Sequence, residues 1–405
     1  MYNLIVIGAG ASGIISAITA AKDGKKVLLL EKLSKVASKI KATGGGRCNL
    51  SNTLSSNEFM SKFGKNGRFM TKALEVFSKD DLISFFSSIG LETHCPDGFR
   101  IFPITHNSQS VIDALVQEMY NLEVEVICSS KVTNINILNQ NKKEVQVNDI
   151  SYFTSNIIVA SGGLGYSTLG ADGDGYIWAK ESGHKITSTH PAMMPLHTKE
   201  RWVENCRADT IAKVEMYVDI KKYKKLKAVG DLIFTKSGIR GPVVLDFARE
   251  ITPLFDKYEE IPLKMNLIKG KNENDIISLF KQNPTLNIKK CLQTILPLAL
   301  IEQLAILCEV DTTIIFKKLE GVKKESFVKI LVSTPLTISG HDGFKMAMIT
   351  RGGVSLKDIN PNTMQSKIVE GLYFCGEVMD VDGPCGGYNL QWSFSSGYLA
   401  GKLNK

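Results

Sequence analysis

The stretch from Asn3 to Lys22 limits what this chain can fold into more than any other. A short apolar run with β-branched residues, Asn3 to Ile7, leads into Gly8, Gly10 and Gly13 in a GxGxxG pattern, then into Ser12 to Lys22, where small and apolar residues recur at helical spacing. A second apolar run, Val27 to Leu30, completes a β-α-β unit, so the chain opens as a doubly wound parallel sheet. Gly8 makes the tight turn, Gly10 lets the backbone approach a pyrophosphate, and Gly13 allows close packing, with the helix N-terminus facing the anion. A glycine-rich turn alone would say little. Glu31, at the end of the second strand, stands near the spacing at which an acid accepts hydrogen bonds from adenosine ribose hydroxyls, and together these features point to a dinucleotide.

The far end of the chain decides which dinucleotide. A nicotinamide dehydrogenase needs nothing from a distant strand, yet Leu372 to Glu377 (LYFCGE) supplies one. Gly376 there admits close backbone approach, and Glu377 is placed to bind a ribityl hydroxyl. That pairing is typical of FAD. After Asp380 to Gly387 (DVDGPCGG), Tyr388 to Gly401 suits a helix starting beneath a flavin ring, where its dipole would stabilise negative charge on the reduced pyrimidine.

At 405 residues, two or three domains are expected, and 43% hydrophobic with 22% charged residues is ordinary for a folded globular chain. Asp80 to Ile89 and Ser110 to Tyr120 read as amphipathic helices. Glu123 to Cys128, Val132 to Leu138, Glu144 to Val147 and Ile157 to Val159 read as strands of a small antiparallel extension that returns to the main sheet. From about His190 to Pro262 the pattern is strand-rich; between about Asn272 and Leu331 it becomes three or four short helices. The eight cysteines form no CxxC pair and no ligand-spaced set with histidine, so no metal site is expected and a reducing cytoplasm fits. The apolar start lacks the preceding basic residues of a secretory signal, and the stretch Ile295 to Leu307 is too short to span a bilayer. The net charge of +8 permits anionic partners, but no nucleic-acid motif accompanies the run Lys221, Lys222, Lys224, Lys225 and Lys227, which reads as the solvated end of a hairpin. No nucleic-acid and no membrane partner is expected.

GAGASG, TGGGRCN (Thr43 to Asn49), ASGG (Ala160 to Gly163), DGDGY (Asp172 to Tyr176), TRGGV (Thr350 to Val354) and GLYFCGEVMDVDGPCGGYNLQWSFSSG (Gly371 to Gly397) together resemble the YhiN/BaiN-like family of NAD(P)/FAD-dependent oxidoreductases over essentially the whole chain. The resemblance implies an α/β fold in which a Rossmann-type FAD-binding domain (residues 1–188 and 346–405) is interrupted by a β-barrel-like domain (189–271, resumed at 332–345) and a small helical cap (272–331). Carried over by position, Gly8, Gly10, Ser12 and Gly13 would cradle the pyrophosphate, Glu31 and Lys32 would hold the adenosine ribose, and Val132 would meet adenine through its backbone. Lys39, Gly45, Gly46, Arg47, Cys48 and Asn49 would lie along the cofactor toward the flavin. Ala160 and Gly162 would pass under the pyrophosphate and ribityl chain, and Gly376, Glu377, Asn389 and Leu390 would contact the ribityl chain and isoalloxazine ring.

Some residues keep two readings. Arg47 either pins its loop or touches the cofactor. Cys48 is either a redox thiol or a structural one, and no paired cysteine stands in its segment; Cys375 and Cys385 read as packing residues. Lys236 stands in FTKSGIRGP where the family commonly has histidine, and Arg351 replaces a more common small residue, facing either an anionic substrate or solvent. His341, on a Gly-rich turn, is either a proton donor or structural. No catalytic acid or base is assigned. The expected activity is hydride transfer through flavin N5, with NAD(P)H as transient electron donor, on a small organic substrate, a conjugated carbon-carbon double bond being the specific option. Amine oxidation with oxygen is the enzymatic alternative, and an RNA-associated or regulatory flavoprotein the alternative of another class.

Overall fold

A computed structural model describes residues 1–404 and divides the chain into two compact units, Met1–Pro191 with the stretch from Ala347 onward, and Ala192–Met346.

The first unit is built on a sheet whose parallel part runs Glu125–Ile127, Val27–Leu30, Tyr2–Ile7, Ile150–Val159, Leu372–Phe374. Val27–Leu30, Leu372–Phe374 and the second half of Tyr2–Ile7 are buried on both faces, which is why they read as unbroken apolar runs rather than alternating ones. Ile150–Val159 belongs to two ladders. Its first half pairs antiparallel with Lys142–Val147, its second half parallel with Tyr2–Ile7, so the extension Val132–Asn139, Lys142–Val147 feeds directly into the main sheet. Sequence patterning anticipates only Ile157 to Val159 of this strand, because the residues before it alternate too weakly to stand out. The structure also adds short helices between Ser38 and Val76 and a small sheet of Ser51–Asn52, Arg100–Pro103 and Thr93–His94.

The opening helix Ala11–Lys22 and the closing helix Tyr388–Gly401 pack on each other through small residues. A Cβ on Gly397 would lie 2.3 Å from the Ser12 carbonyl oxygen and 2.5 Å from Ile15 Cγ2, and one on Gly401 would lie 2.5 Å from the Ser16 carbonyl oxygen. The helices therefore touch backbone to backbone.

The second unit contains a closed barrel in the order Leu196–Thr198, Gly238–Arg240, Lys227–Phe234, Thr210–Val218, Ile261–Asn266, Thr334–Gly340. The last strand, which arrives after the helices, closes it. Glu273–Gln282, Ile288–Leu292, Leu298–Leu307 and Gly321–Val332 are the four helices of the helical stretch, and they share one apolar core with the barrel. Pro242–Ile251 is a further helix within the strand-rich region, buried along Val243, Val244, Phe247, Ala248 and Ile251. The five lysines from Lys221 to Lys227 sit exposed where the hairpin of Thr210–Val218 and Lys227–Phe234 turns. No helix among the described residues is long and apolar enough to cross a membrane.

One buried histidine makes the first unit sensitive to acid. Ser366 Oγ accepts N–H bonds from Ile368 (3.0 Å) and Val369 (2.8 Å), so its own proton is directed to His184 Nε2, 2.7 Å away, leaving Nδ1–H to donate to the Ala179 carbonyl at 3.0 Å. A second ring proton would face an oxygen whose lone pairs are taken. Burial pushes the imidazole pKa below 6.5, against the opposing pull of the Ala179 carbonyl and the Asp358 charge.

Because the folded pKa is depressed, the unfolded chain binds a proton below pH 6.5 that the folded chain refuses, and stability present above that pH is lost as pH falls. Urea unfolding should lose up to about 1.4 kcal/mol per pH unit there through this group. The His184→Gln variant, less stable at neutral pH, should lack that component of the slope. At the helix pair, Gly397→Leu should cost about 3 kcal/mol by overpacking, seen as a lower urea midpoint.

Candidate functional site

Four of the parallel strands end level with one another. Ile7 is in register with both Leu30 and Val159, and Val159 with Phe374, so the residues that follow, Gly8, Glu31, Ala160 and Cys375, form a row along the carboxyl edge of the sheet. This edge is where open α/β sheets place ligands.

Gly8 adopts φ 102°, and a Cβ there would lie 2.6 Å from the Ala160 carbonyl oxygen. Gly13 is tighter still, its Cβ position falling 1.9 Å from the Gly8 carbonyl oxygen, whereas nothing lies within 4 Å of a Cβ on Gly10. The turn is thus closed on the protein side and open at Gly10. The helix it starts has no side-chain cap at its N-terminus, leaving first-turn amides to an outside acceptor. Glu31 braces this turn: one carboxylate oxygen accepts the Ala9 N–H at 2.8 Å, the other the Leu33 N–H at 2.9 Å. Ser129 and Ser130 donate to the Leu33 and Glu31 carbonyls at 2.8 Å each, which brings buried Val132 to the same end of the row. Lys32 is engaged by Asp172 and, at 3.3 Å, by Asp174.

The other end of the row joins distant segments. Gly376 (φ 74°) approaches Ser12 so closely that a Cβ would meet Ser12 Oγ at 2.4 Å, and the Cys375 thiol hydrogen-bonds with Ser12. Glu377 is held by Lys39 Nζ at 2.6 Å and by the Thr350 N–H at 2.9 Å, and Lys39 also donates to the Gly165 carbonyl at 3.2 Å. Thr350, which opens the TRGGV motif although the resemblance assigns it no contact, accepts the N–H groups of Leu164 (2.7 Å) and Gly165 (3.1 Å) on its Oγ1. Gly162, at φ 73°, turns the chain after Ala160, and the Ser161 Oγ beside it is buried without a hydrogen-bond partner.

In the TGGGRCN loop, Gly44, Gly45 and Gly46 all take positive φ (57°, 65° and 86°), and a Cβ on Gly45 or Gly46 would meet nothing within 4 Å. Arg47 bonds back to the Gly44 carbonyl at 3.2 Å and lies over the Phe102 ring, 5.4 Å from its centroid. These contacts pin the loop. Burial pushes the Cys48 thiol up to about 11, only partly offset by a hydrogen bond with Thr43, and pushes Cys375 up to about 12; none of the eight cysteines is in a disulfide. Asn49, with its amide oriented to suit its neighbours, accepts the Gly387 N–H at 2.9 Å and donates to the Ser51 carbonyl at 2.9 Å, joining this loop to the start of the closing helix. Asn389 folds the DGPCGG loop back by accepting the Gly383 N–H at 2.8 Å and donating to the Gly383 carbonyl at 3.0 Å, and Leu390 packs half-buried on the core.

Three residues with two readings are placed as follows. His341 accepts the Gly343 N–H on Nδ1 at 3.0 Å within its own turn and packs against Phe255. Lys236 is exposed beyond Lys227–Phe234, and Arg351 is half-buried in Ile349–Val354. Among the described residues no His/Cys/Asp/Glu group is arranged to hold a metal.

A dinucleotide fits this edge on several independent counts. The Gly10 approach is clear, the helix amides are uncapped, and each Glu31 oxygen keeps a lone pair.

Comparison with known proteins agrees. Residues 2–403 match the family described as HI0933-like protein Rossmann domain. The chain is 30% identical to the 3-dehydro-bile acid delta(4,6)-reductase of Clostridium scindens, covering 99% of this chain and 98% of that one. It is also 30% identical to the ribosomal RNA dihydrouridine synthase of Haemophilus influenzae, covering 97% and 96%. In fold it is similar to the 3-ketosteroid delta1-dehydrogenase of Sterolibacterium denitrificans, with a TM-score of 0.55 at 11% identity over 99% of this chain and 98% of that one. The chain belongs to the HI0933-like, YhiN/BaiN-like family of FAD-binding Rossmann proteins that its motifs resemble, and it is an FAD-dependent oxidoreductase.

Proposed function

We propose that this protein uses FAD, reduced by NAD(P)H, to saturate a carbon-carbon double bond conjugated to a carbonyl in a small organic substrate. The observation that carries the proposal is the row of Gly8, Glu31, Ala160 and Cys375–Glu377 at the level ends of four parallel strands. When bound, FAD supplies a two-electron carrier between one substrate and another. The chain's own residues bind and orient it. Gly8, Gly10, Ser12 and Gly13 offer backbone amides to the pyrophosphate; Glu31 takes ribose hydroxyls on its remaining lone pairs, with Lys32 held beside it; and Val132 presents its backbone to adenine. Ala160 and Gly162 run beneath the pyrophosphate and ribityl chain, while Glu377, steered by Lys39 and Thr350, faces the ribityl hydroxyls with Gly376 giving clearance. Gly45 and Gly46 leave an open face toward the ring, and Arg47, Cys48, Asn49, Asn389 and Leu390 fix the loops around it. The N-terminus of Tyr388–Gly401, without a side-chain cap, would favour negative charge on a flavin ring bound beside it.

The two relatives support the substrate class by their chemistry. A delta(4,6) reductase of a 3-dehydro bile acid and a dihydrouridine synthase both saturate a ring double bond conjugated with a carbonyl. A second reading follows the second relative: the reduced ring is a uracil base in RNA, favoured also by the exposed lysine hairpin.

The purified protein should be yellow. Under anaerobic conditions NADH or NADPH should bleach it, and a 4-ene-3-oxo steroid or uridine-containing RNA should restore the colour with a product two hydrogens heavier by mass spectrometry. Restoration by RNA alone selects the second reading. Bleaching by an amine with no response to NAD(P)H would overturn both. The elevated pKa of Cys48 predicts that its thiol takes no part, so Cys48→Ser should keep FAD and bleach at a rate within about twofold of the parent, measured by stopped-flow absorbance.

A further inference from the structure

Between the strand Ile150–Val159 and the helix Asp174–Glu181 the chain is held by side chains from four other segments. Near its start, Thr350 Oγ1 takes the N–H groups of Leu164 and Gly165, and Lys39 takes the Gly165 carbonyl while gripping Glu377. Near its end, Lys32 pairs with Asp172 and Asp174, and Lys131 reaches Asp174 at 3.4 Å and Asp172 at 3.8 Å. Between these anchors Gly170 rests on Leu33, its Cβ position 3.1 Å from Leu33 Cδ1. Every holding residue adjoins the dinucleotide row: Lys32 and Leu33 follow Glu31, Lys131 precedes Val132, and Lys39 binds Glu377.

The two sets of anchors differ in kind. Thr350 and Lys39 bond to backbone in a part-buried setting, whereas the four-charge group opens to solvent on one side, where Lys131 is 55% and Asp172 39% exposed against 19% for Lys32 and 17% for Asp174. Partly exposed ion pairs are individually weak and are screened by salt, so such a group holds a segment without locking it. Positive φ at Gly162, Tyr166, Gly170 and Gly173 concentrates the turns of the segment at four points. Tyr166 accepts that conformation without being glycine, which costs energy that the anchors must offset.

We infer that residues 163–174 are a strap over the adenosine and pyrophosphate portion of FAD, and that Lys32, Lys131, Asp172 and Asp174 are its clasp. Lys32, Lys131, Asp172 and Asp174 are positioning residues: they act on the cofactor by holding the strap, and FAD leaves when the clasp opens. This rests on the proposed placement of FAD along the row.

The test is the rate at which flavin fluorescence appears when the holoenzyme is diluted. The Asp172→Asn/Asp174→Asn double variant should release FAD about tenfold faster than the parent. Parent release should accelerate between about 50 mM and about 500 mM salt, while variant release should be insensitive to it. Hydrogen exchange of the amides in 163–174 should rise with salt in the apoprotein as well. Equal release rates, with only a lowered Tm in the variant, would leave these residues as structural supports and overturn the strap. Should the variant not fold, salt-independent release and exchange in the parent would overturn it equally. A colourless parent would instead sink the FAD placement, so the two failures are distinguishable.

Discussion

Everything the site does depends on the close approach of the first helix to the two segments that return from the far end of the chain. Ser12 sits at the centre of that approach. Its Oγ lies against Gly376, its carbonyl against Gly397, and its side chain bonds with the Cys375 thiol. Neither glycine contact leaves space for a Cβ. The packing therefore fixes the height of the Gly376 turn relative to the Gly8 turn to within the tolerance of a van der Waals contact, which a dinucleotide placed along both turns, as proposed, would need. The register of the strands adds the second dimension, since Ile7, Leu30, Val159 and Phe374 are level.

Much of this is legible in the sequence because glycine-rich turns and fully buried parallel strands leave strong local signatures. Val27–Leu30 and Tyr388–Gly401 have the limits that the apolar pattern indicates, Gly8 and Gly13 meet close backbone contacts, and Gly376 meets the Ser12 side chain. What stays hidden is long-range and polar. Thr350 opens the TRGGV motif, but its two N–H acceptances exist only once residues separated by some 185 positions are folded together. Lys32 illustrates the same limit. Its position beside Glu31 suggests the ribose, but whether its ammonium also meets Asp172 and Asp174 cannot be read from spacing. The helix Pro242–Ile251 escapes the sequence pattern for another reason: Gly230, Gly238 and Gly241 around it read as strand breakers, and its apolar stripe is short.

The electrostatics of the row fit a redox cofactor better than hydrolytic or acid-base chemistry. The thiols nearest it, Cys48 and Cys375, are pushed up by burial rather than lowered, so neither is a thiolate near neutral pH. Both acids in the row, Glu31 and Glu377, have their carboxylate oxygens committed to backbone N–H groups and, for Glu377, to Lys39. Carboxylates used in this way orient hydroxyls rather than shuttle protons. The protein's share of the chemistry is then placement and water exclusion, which is what a bound flavin requires.

That division explains why the cofactor is easier to infer than the substrate. Relatives equally similar to this chain carry names for a bile acid and for ribosomal RNA, molecules with nothing in common except a ring double bond next to a carbonyl. If the edge holds FAD as proposed, it is indifferent to what surrounds a substrate's double bond, and selection among substrates of that kind would fall to groups outside the row. Arg351 and Lys236, where this sequence departs from the family pattern, and the exposed hairpin lysines are cationic. A steroid nucleus rewards apolar enclosure, whereas a polynucleotide rewards clustered positive charge whose contribution falls with salt. Under the second proposed reading the five lysines of the barrel hairpin would contribute to binding, and the salt dependence of binding would separate the two readings.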